Sequence, residues 1–162
     1  MHLDEIFQAL NKQKIRYLVI GGVAVNLYGY SRTTMDLDLL ISLDPKNRAD
    51  FFGLMRSLKY RSIKPSLARK LLLGEYPPKG IKVVTFFRAE TEIIDVFIQS
   101  PIDFEKAYKK RKIFRSGKTA ISTVPYNTLI SMKRKADRKI DLHDVSYLEY
   151  VKRLKKHGKN SK

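Results

Sequence analysis

Three aspartates lie in apolar stretches of the sequence, where an unpaired carboxylate would be unfavourable. Asp36 and Asp38 alternate with leucines in a predicted strand, so both side chains project from one face, about 7 Å apart along the backbone. Two carboxylates that share a half-buried site repel each other unless a cation neutralises them, and a divalent ion does so most directly. Asp95 interrupts the run Ile93–Phe97 of a later predicted strand and would complete the ligand set. The pattern therefore predicts a divalent-metal site.

A glycine pair precedes the aspartates. Gly21 and Gly22 follow the apolar run Tyr17–Ile20, a predicted buried strand, and open a predicted helix. Residues without a Cβ let backbone N–H groups approach phosphate oxygens at such a turn. By itself, an Asp-x-Asp is usually a solvated strand edge and a Gly-Gly a tight turn. Their combination is far more specific, and it favours chemistry on a phosphate group.

Hydrophobic periodicity predicts the elements that would position these residues. Predicted helices span 3–10, 23–28, 48–60, 67–73, 104–111, 125–133 and 141–154. Predicted strands span 17–20, 36–43, 81–87, 93–98 and 119–124, with a loop at 74–80. This order predicts an α+β (or α/β) fold in which helices flank a mixed, twisted sheet. Residues 1–151 are predicted to form a single domain, and 152–162 a basic, flexible tail.

Composition restricts the partners and the chemistry. Lys and Arg number 33 against 16 Asp and Glu, a net charge of +17, which favours nucleic acid as a partner, although cationic surfaces also serve solubility. The absence of Cys excludes disulfides and thiolate sites. No apolar run reaches the roughly 18 to 20 residues of a membrane span, and the first residues do not look like a signal peptide. A cytoplasmic location without membrane contact is therefore expected.

The glycine and aspartate motifs together resemble a known signature. Ile20-Gly21-Gly22, thirteen residues and then Asp36-Leu37-Asp38-Leu39 resembles the signature of the polymerase-β-like nucleotidyltransferase superfamily, and Asp95 stands where that superfamily carries its third carboxylate. The stretch 32–38 resembles the arginine-threonine lead-in of a bacterial subgroup that includes abortive-infection, type IV toxin nucleotidyltransferases. The stretch 129–133, followed by Arg138, Asp141 and Asp144, resembles the C-terminal motif of that subgroup. Two departures are a Gly rather than a Ser at position 22 and the lack of the larger C-terminal domain of many toxins.

The resemblance implies a nucleotidyltransferase fold and a Mg²⁺-dependent transfer of a nucleoside monophosphate from a nucleoside triphosphate, ATP included, to an acceptor hydroxyl, with release of pyrophosphate. Asp36 and Asp38 would bridge two Mg²⁺ ions, for which Mn²⁺ is an alternative. Asp95 would bind one ion and could accept the proton of the acceptor hydroxyl.

The resemblance also implies roles for neighbouring residues. Gly21 and Gly22 would hold the outgoing phosphates through backbone N–H groups, while Arg32 and Lys133 would neutralise developing charge. Four further residues would orient the side chains that bind the metal and the nucleotide, namely Thr34, Arg138, Asp141 and Asp144. An alternative for the last two is that acids near a helix start complement the helix dipole. Solvated side chains are the alternative for Arg32 and Lys133.

The acceptor is the least determined part of the prediction. The positive charge favours RNA, for example a tRNA end, with a protein hydroxyl as second choice and an antitoxin as a further partner. A different class of function is a catalytically silent nucleic-acid-binding or antitoxin-like module on the same fold. A third hypothesis, an aminoglycoside-type modifier of small molecules, would call for an acidic pocket that this basic sequence does not indicate.

Overall fold

The structure is a computed structural model that describes residues 3–73, 75, 80–89 and 91–157. Its helices are α1 (Leu3–Lys12), α2 (Gly21–Leu27), α3 (Pro45–Ser57), α4 (Pro65–Leu72), α5 (Phe104–Lys109), α6 (Tyr126–Ala136) and α7 (Lys139–His157). Its strands are β1 (Tyr17–Val19), β2 (Asp36–Ile41), β3 (Arg61–Ser62), β4 (Val83–Arg88), β5 (Glu92–Phe97), β6 (Lys112–Ser116) and β7 (Thr119–Thr123).

Within the described residues, the strands form one seven-stranded sheet in the order β3-β4-β5-β2-β1-β7-β6. β2 runs parallel to β5 and β1 parallel to β7, whereas the remaining neighbours are antiparallel. Parallel neighbours need long crossovers, and the one between β2 and β5 contains α3, β3, α4 and β4. The predicted fold class, a mixed sheet with helices, is confirmed.

The central strands have two faces of different character. Leu37 of β2 lies beside Ile94 of β5, which in turn lies opposite Phe86 of β4. All three are buried, and the Phe86 ring packs against Phe52 of α3 with 5.2 Å between the ring centroids. Because side chains alternate along a strand, the neighbours of Leu37 project from the opposite face. The main core therefore fixes the strands while the aspartates stay accessible on the other side.

The strands β3 and β6 were missing from the sequence prediction, because neither contains the apolar alternation that marks a half-buried strand. β6 is largely exposed and pairs with β7 from Lys112 to Ser116 at one edge of the sheet. Basic side chains on such an edge discourage pairing with other chains.

The last helix is longer than predicted. α7 begins at Lys139 and continues through His157, so it includes the start of the basic stretch 152–162, whose last residues lie outside the described part of the chain. Most of the predicted loop at 74–80 also lies outside it. Among the described helices, none combines the length and the apolar character that a bilayer span requires.

Candidate active site

Strand register brings the three aspartates together. Asp38 lies directly beside Asp95 in the parallel pair of β2 and β5, and Asp36 lies two residues earlier on the same face. Each carboxylate offers one oxygen, and these oxygens all lie within 4.8 Å of one another. All three side chains are half-buried. The convergence that the sequence predicted is therefore present.

Two threonines orient the carboxylates. Thr85 lies opposite Asp95 in the antiparallel pair of β4 and β5, and its hydroxyl donates to Asp95 Oδ1 at 2.6 Å. The Thr34 hydroxyl donates to Asp36 Oδ1 at 3.2 Å. Thr34 was among the predicted supporting residues, but Thr85 was not. Its only signal in the sequence is its position in the hairpin, where the pairing register decides which residue lies opposite Asp95.

The electrostatics of the site fit a cation. Burial, followed by repulsion from Asp36 and Asp95, raises the pKa of Asp38 to about 6, against the opposing influence of Lys133 and Arg138. The raised pKa means that the ionised form of Asp38 is unfavourable in the protein without a counterion. The donors are all carboxylate oxygens, which are the ligands that Mg²⁺ and Mn²⁺ prefer. The residues present therefore fit a hard divalent ion.

The turn before α2 touches the carboxylates. Gly21 has a φ of +62°, and a Cβ at this position would overlap Asp38 Oδ2. The backbone N–H of Ile20 donates to the Asp38 carbonyl at 3.0 Å, which ties the turn to β2. A Cβ on Gly22 would overlap the Thr34 hydroxyl. Gly21 is needed for its positive φ and its contact with Asp38, whereas a side chain at position 22 would have to displace the Thr34 side chain.

Thr34 takes up the space that a side chain at position 22 would need, and this can be tested. We expect Gly22→Ser to lower the unfolding free energy by about 1–3 kcal/mol, the usual effect of overpacking. In Gly22→Ser/Thr34→Ala the overlap with the hydroxyl is removed, while the Cβ of residue 34 stays 2.9 Å from the new Cβ, so part of that loss should return in thermal or urea melts of the four proteins of the cycle. Strictly additive losses would show that the two positions do not compete for space.

Beside the glycine turn lies an ion cluster of two buried carboxylates and three cations, of which Lys133 is buried and Arg138 is exposed. Lys133 Nζ lies 2.7 Å from Asp141 Oδ1 and 2.9 Å from Asp144 Oδ2. Arg32 binds both oxygens of Asp144, at 2.8 Å from Nε and 3.0 Å from Nη2. Arg138 Nε donates to Asp141 Oδ2 at 2.6 Å. Lys133 is only 5% exposed and the two aspartates are fully buried.

This cluster decides between the two explanations of the α7 acids. Burial by itself would raise the pKa of Asp141, but hydrogen bonds from Arg138 and Lys133 outweigh it and hold that pKa below its usual value. Asp144 accepts from Arg32 on a distant loop, which a dipole effect within α7 would not require. Both aspartates therefore anchor cations, and three cations against two carboxylates leave the cluster one net positive charge.

A cavity of about 450 Å³ opens between the sheet and α6. Gly21 and Asp38 line one side, Lys133 and Arg138 another, and Phe97 contributes an apolar wall. Ligand pockets of small molecules commonly measure about 300–1,000 Å³. Asp38 and the glycine turn thus border a space large enough for a nucleotide.

Comparison with known proteins agrees with this geometry at the level of the fold. No protein-family profile matches the sequence, and no curated protein matches it. Among solved structures, the lincosamide antibiotic adenylyltransferase LnuA, bound to lincomycin, matches with a TM-score of 0.64 over 92% of this chain and 96% of its own, at 13% identity. The fold is that of the nucleotidyltransferases.

Two further structures with this fold are similar over most of the chain. An antigenic nucleotidyltransferase-like protein from Paracoccidioides brasiliensis matches with a TM-score of 0.55 and 15% identity, over 90% of this chain and 72% of its own. The antibiotic-resistance factor ANT(2'')-Ia matches with a TM-score of 0.53 and 10% identity, over 98% and 93%. At these identities the likeness establishes the fold and leaves the reaction and the subgroup open.

Proposed function

We propose that this protein is a metal-dependent nucleotidyltransferase that moves a nucleoside monophosphate from a nucleoside triphosphate to an acceptor hydroxyl. The observation that carries the proposal is the convergence of Asp36, Asp38 and Asp95 within 4.8 Å, beside a glycine turn in which a Cβ on Gly21 would overlap Asp38. A structural role does not explain why three carboxylates meet on the half-open face of a sheet, since their repulsion is unfavourable without a cation.

In the proposed reaction, the acceptor oxygen forms a bond to the α-phosphorus while the bond from that phosphorus to the β-bridging oxygen breaks, so pyrophosphate leaves. Asp36, Asp38 and Asp95 would hold the divalent ions, and the ions would supply electrostatic stabilisation of the charge on the reacting oxygens. Asp95 would accept the acceptor proton, and Thr85 would keep its carboxylate oriented.

The remaining site residues would act on the triphosphate. Gly21 and Gly22 would offer backbone N–H groups to the outgoing phosphates, because nothing beyond Cα stands in the way. Lys133 lines the cavity and Arg32 lies beside Gly22. Both cations would offset the charge that develops on pyrophosphate. Asp144 would hold both cations in position, since it binds each of them directly.

RNA is the acceptor that we favour. The net charge of +17 attracts a polyanion, and the cavity beside the carboxylates carries Lys133, Lys135 and Arg138. A protein hydroxyl is the second choice. A toxin role with an antitoxin partner and a cytoplasmic location remain predictions from the sequence.

A small-molecule acceptor is the second candidate. It is favoured by the likeness to LnuA, whose structure contains lincomycin and which this chain matches over almost its whole length. The cations in the cavity count against a positively charged acceptor, because like charges would meet there.

The decisive assay measures transfer directly. The protein is incubated with each α-labelled nucleoside triphosphate and Mg²⁺ or Mn²⁺, with total RNA, cell protein, lincomycin or an aminoglycoside as the acceptor. We expect label in the RNA fraction, and we expect Asp36→Asn to abolish it. Transfer that persists in Asp36→Asn would refute the mechanism, whereas RNA binding without transfer under every condition would favour the silent module.

A further inference from the structure

We infer that the exposed face of α7 is a platform on which an unpaired base of the RNA acceptor stacks. The inference rests on the proposed function for the identity of the acceptor and deepens it by assigning the surface that binds it. The platform consists of Tyr30, His143, Tyr147 and Tyr150, called here the tyrosine platform.

Aromatic rings are stacked and accessible on this face. Tyr30 stacks on Tyr147 with ring centroids 4.0 Å apart and an angle of 25° between the planes, and the Tyr150 ring lies edge-on to Tyr147, with 6.2 Å between the centroids and 62° between the planes. The Tyr30 hydroxyl lies 3.1 Å from His143 Nδ1. Tyr147 is 40% exposed and Tyr150 is 51% exposed. Rings held in place with open faces are the means by which single-stranded nucleic acid is bound without base pairing.

The charge on this face suits a phosphate backbone. Helical spacing places Lys139 and Arg153 along the row of His143 and Tyr150, and both cations are exposed. Arg153 also lines a cavity of about 580 Å³ between α6 and α7, together with Arg134, Lys152 and Tyr126. A strand whose base stacks on Tyr150 would therefore find cations for its adjacent phosphates.

The platform is connected to the candidate active site. Tyr30 lies two residues before Arg32, and Arg32 binds both oxygens of Asp144, the residue that follows His143. Arg32 Nη2 lies only 3.1 Å from the position of a Cβ on Gly22. One ion pair thus joins the platform to the glycine turn, as expected of a surface that positions an acceptor for the reaction.

A second copy of the chain is the competing occupant. The same stripe of α7 carries exposed Ile140 and Leu154, which could pack against an identical helix. We favour RNA because two chains of charge +17, each with Lys139 and Arg153 on this face, would repel each other.

Binding to a labelled RNA tests the platform without the reaction. Fluorescence anisotropy in EDTA would follow a single-stranded RNA of about 12 nucleotides and its duplex form on the full-length protein. We expect tighter binding of the single strand, a loss of about tenfold in affinity for it in Tyr147→Ala and in Tyr150→Ala, and near wild-type affinity in Tyr150→Phe, which keeps the ring. Leu142→Ala changes an exposed apolar residue of α7 that is rotated about 80° from Tyr150 and about 140° from Tyr147; it is the matched control and should not change binding.

The outcomes separate this inference from the proposed reaction. Equal affinity of wild type and Tyr150→Ala, or no RNA binding by the wild type, overturns the platform. So does a dimer in light scattering that Tyr150→Ala dissociates without a change in RNA affinity. Platform-dependent binding without transfer to any acceptor would support the platform and refute the reaction. A melting temperature of Tyr150→Ala equal to that of the wild type verifies that the variant is folded.

Discussion

Replacing Asp38 with asparagine is expected to reduce nucleotidyl transfer by about 10³-fold or more while it makes the metal-free protein more stable. The loss of activity follows because Asp38 pairs with Asp95 in the sheet and shares a face with Asp36, so the substitution removes one of the three carboxylates that would hold the ions. The gain in stability follows because the substitution removes the negative charge of Asp38. Without a cation, an ionised Asp38 is repelled by its two neighbours in a half-buried site.

The sign of the pH dependence is fixed by the raised pKa. Because the pKa of Asp38 is raised from an ordinary value of 3.8 to about 6 in the folded protein, folding favours the protonated carboxyl. The contribution of the protonated Asp38 to the free energy of unfolding is fully present below the pKa that Asp38 has in the unfolded chain, and it is lost as the pH rises through about 6. The difference between the folded and unfolded pKa of Asp38 corresponds to a loss of about 3 kcal/mol in unfolding free energy at neutral pH. Thermal melts in EDTA should show a wild-type decline in stability between pH 4 and pH 7.5, relative to Asp38→Asn, within roughly this window.

Added Mg²⁺ or Mn²⁺ should reverse the order of stability. Binding to the folded state raises the melting temperature of the wild type, and it should leave Asp38→Asn almost unchanged. Asp137→Asn is the matched control, because Asp137 is exposed and has a φ of +53°, a conformation that asparagine accepts. It should keep both transfer and the response to metal. Equal metal-induced shifts in wild type and Asp38→Asn would exclude the carboxylate site.

Gly21→Ala is expected to reduce transfer by about 10²-fold or more, with a loss of stability that exceeds the usual effect of such a substitution. Two effects combine at this position. The φ of +62° is unfavourable for any residue with a Cβ, by about 1–2 kcal/mol. In addition, the new methyl group would overlap Asp38 Oδ2, so either the turn or the carboxylate must move. Small displacements of reacting groups can reduce rates by about 10²-fold.

Gly117→Ala separates these two effects. Gly117 has a φ of +55°, similar to that of Gly21, but a Cβ there would meet no atom within 4 Å among the described residues. Gly117→Ala should therefore show the conformational loss of about 1 kcal/mol without a change in transfer. Urea unfolding and initial rates measured on both variants provide the comparison. If Gly21→Ala and Gly117→Ala behaved alike, the contact between the turn and Asp38 would have no functional importance.

Local patterns predicted the elements of the site. Alternation along one strand was sufficient to place Asp36 and Asp38 on one face, because the side-chain period of a strand is two residues. An acid inside the apolar run Ile93–Phe97 was sufficient to single out Asp95. The glycine pair indicated a close approach of backbone, and the helices and longer strands followed from their hydrophobic periods.

The convergence of the aspartates needed the tertiary structure. Asp95 lies beside Asp38 because β5 pairs with β2 in one register, and a shift by one residue would turn its side chain to the core face. Thr85 could not be found for the same reason, since its partner depends on how β4 pairs with β5. The edge strand β6 was missed because few of its residues are buried and its sequence carries no apolar period.

Residue types and their nearest neighbours were enough to show which side chains can carry charge, which can bind an ion and where the backbone has no side chain. The contacts of the acids of α7 depend instead on how distant segments pack together. Asp144 of α7 meets Arg32 across 112 positions of the chain and Lys133 on the preceding helix α6, and no local pattern encodes such contacts. The arrangement of charges in the site arises from packing between distant segments, and through that packing Asp144 binds both the buried Lys133 and the half-buried Arg32.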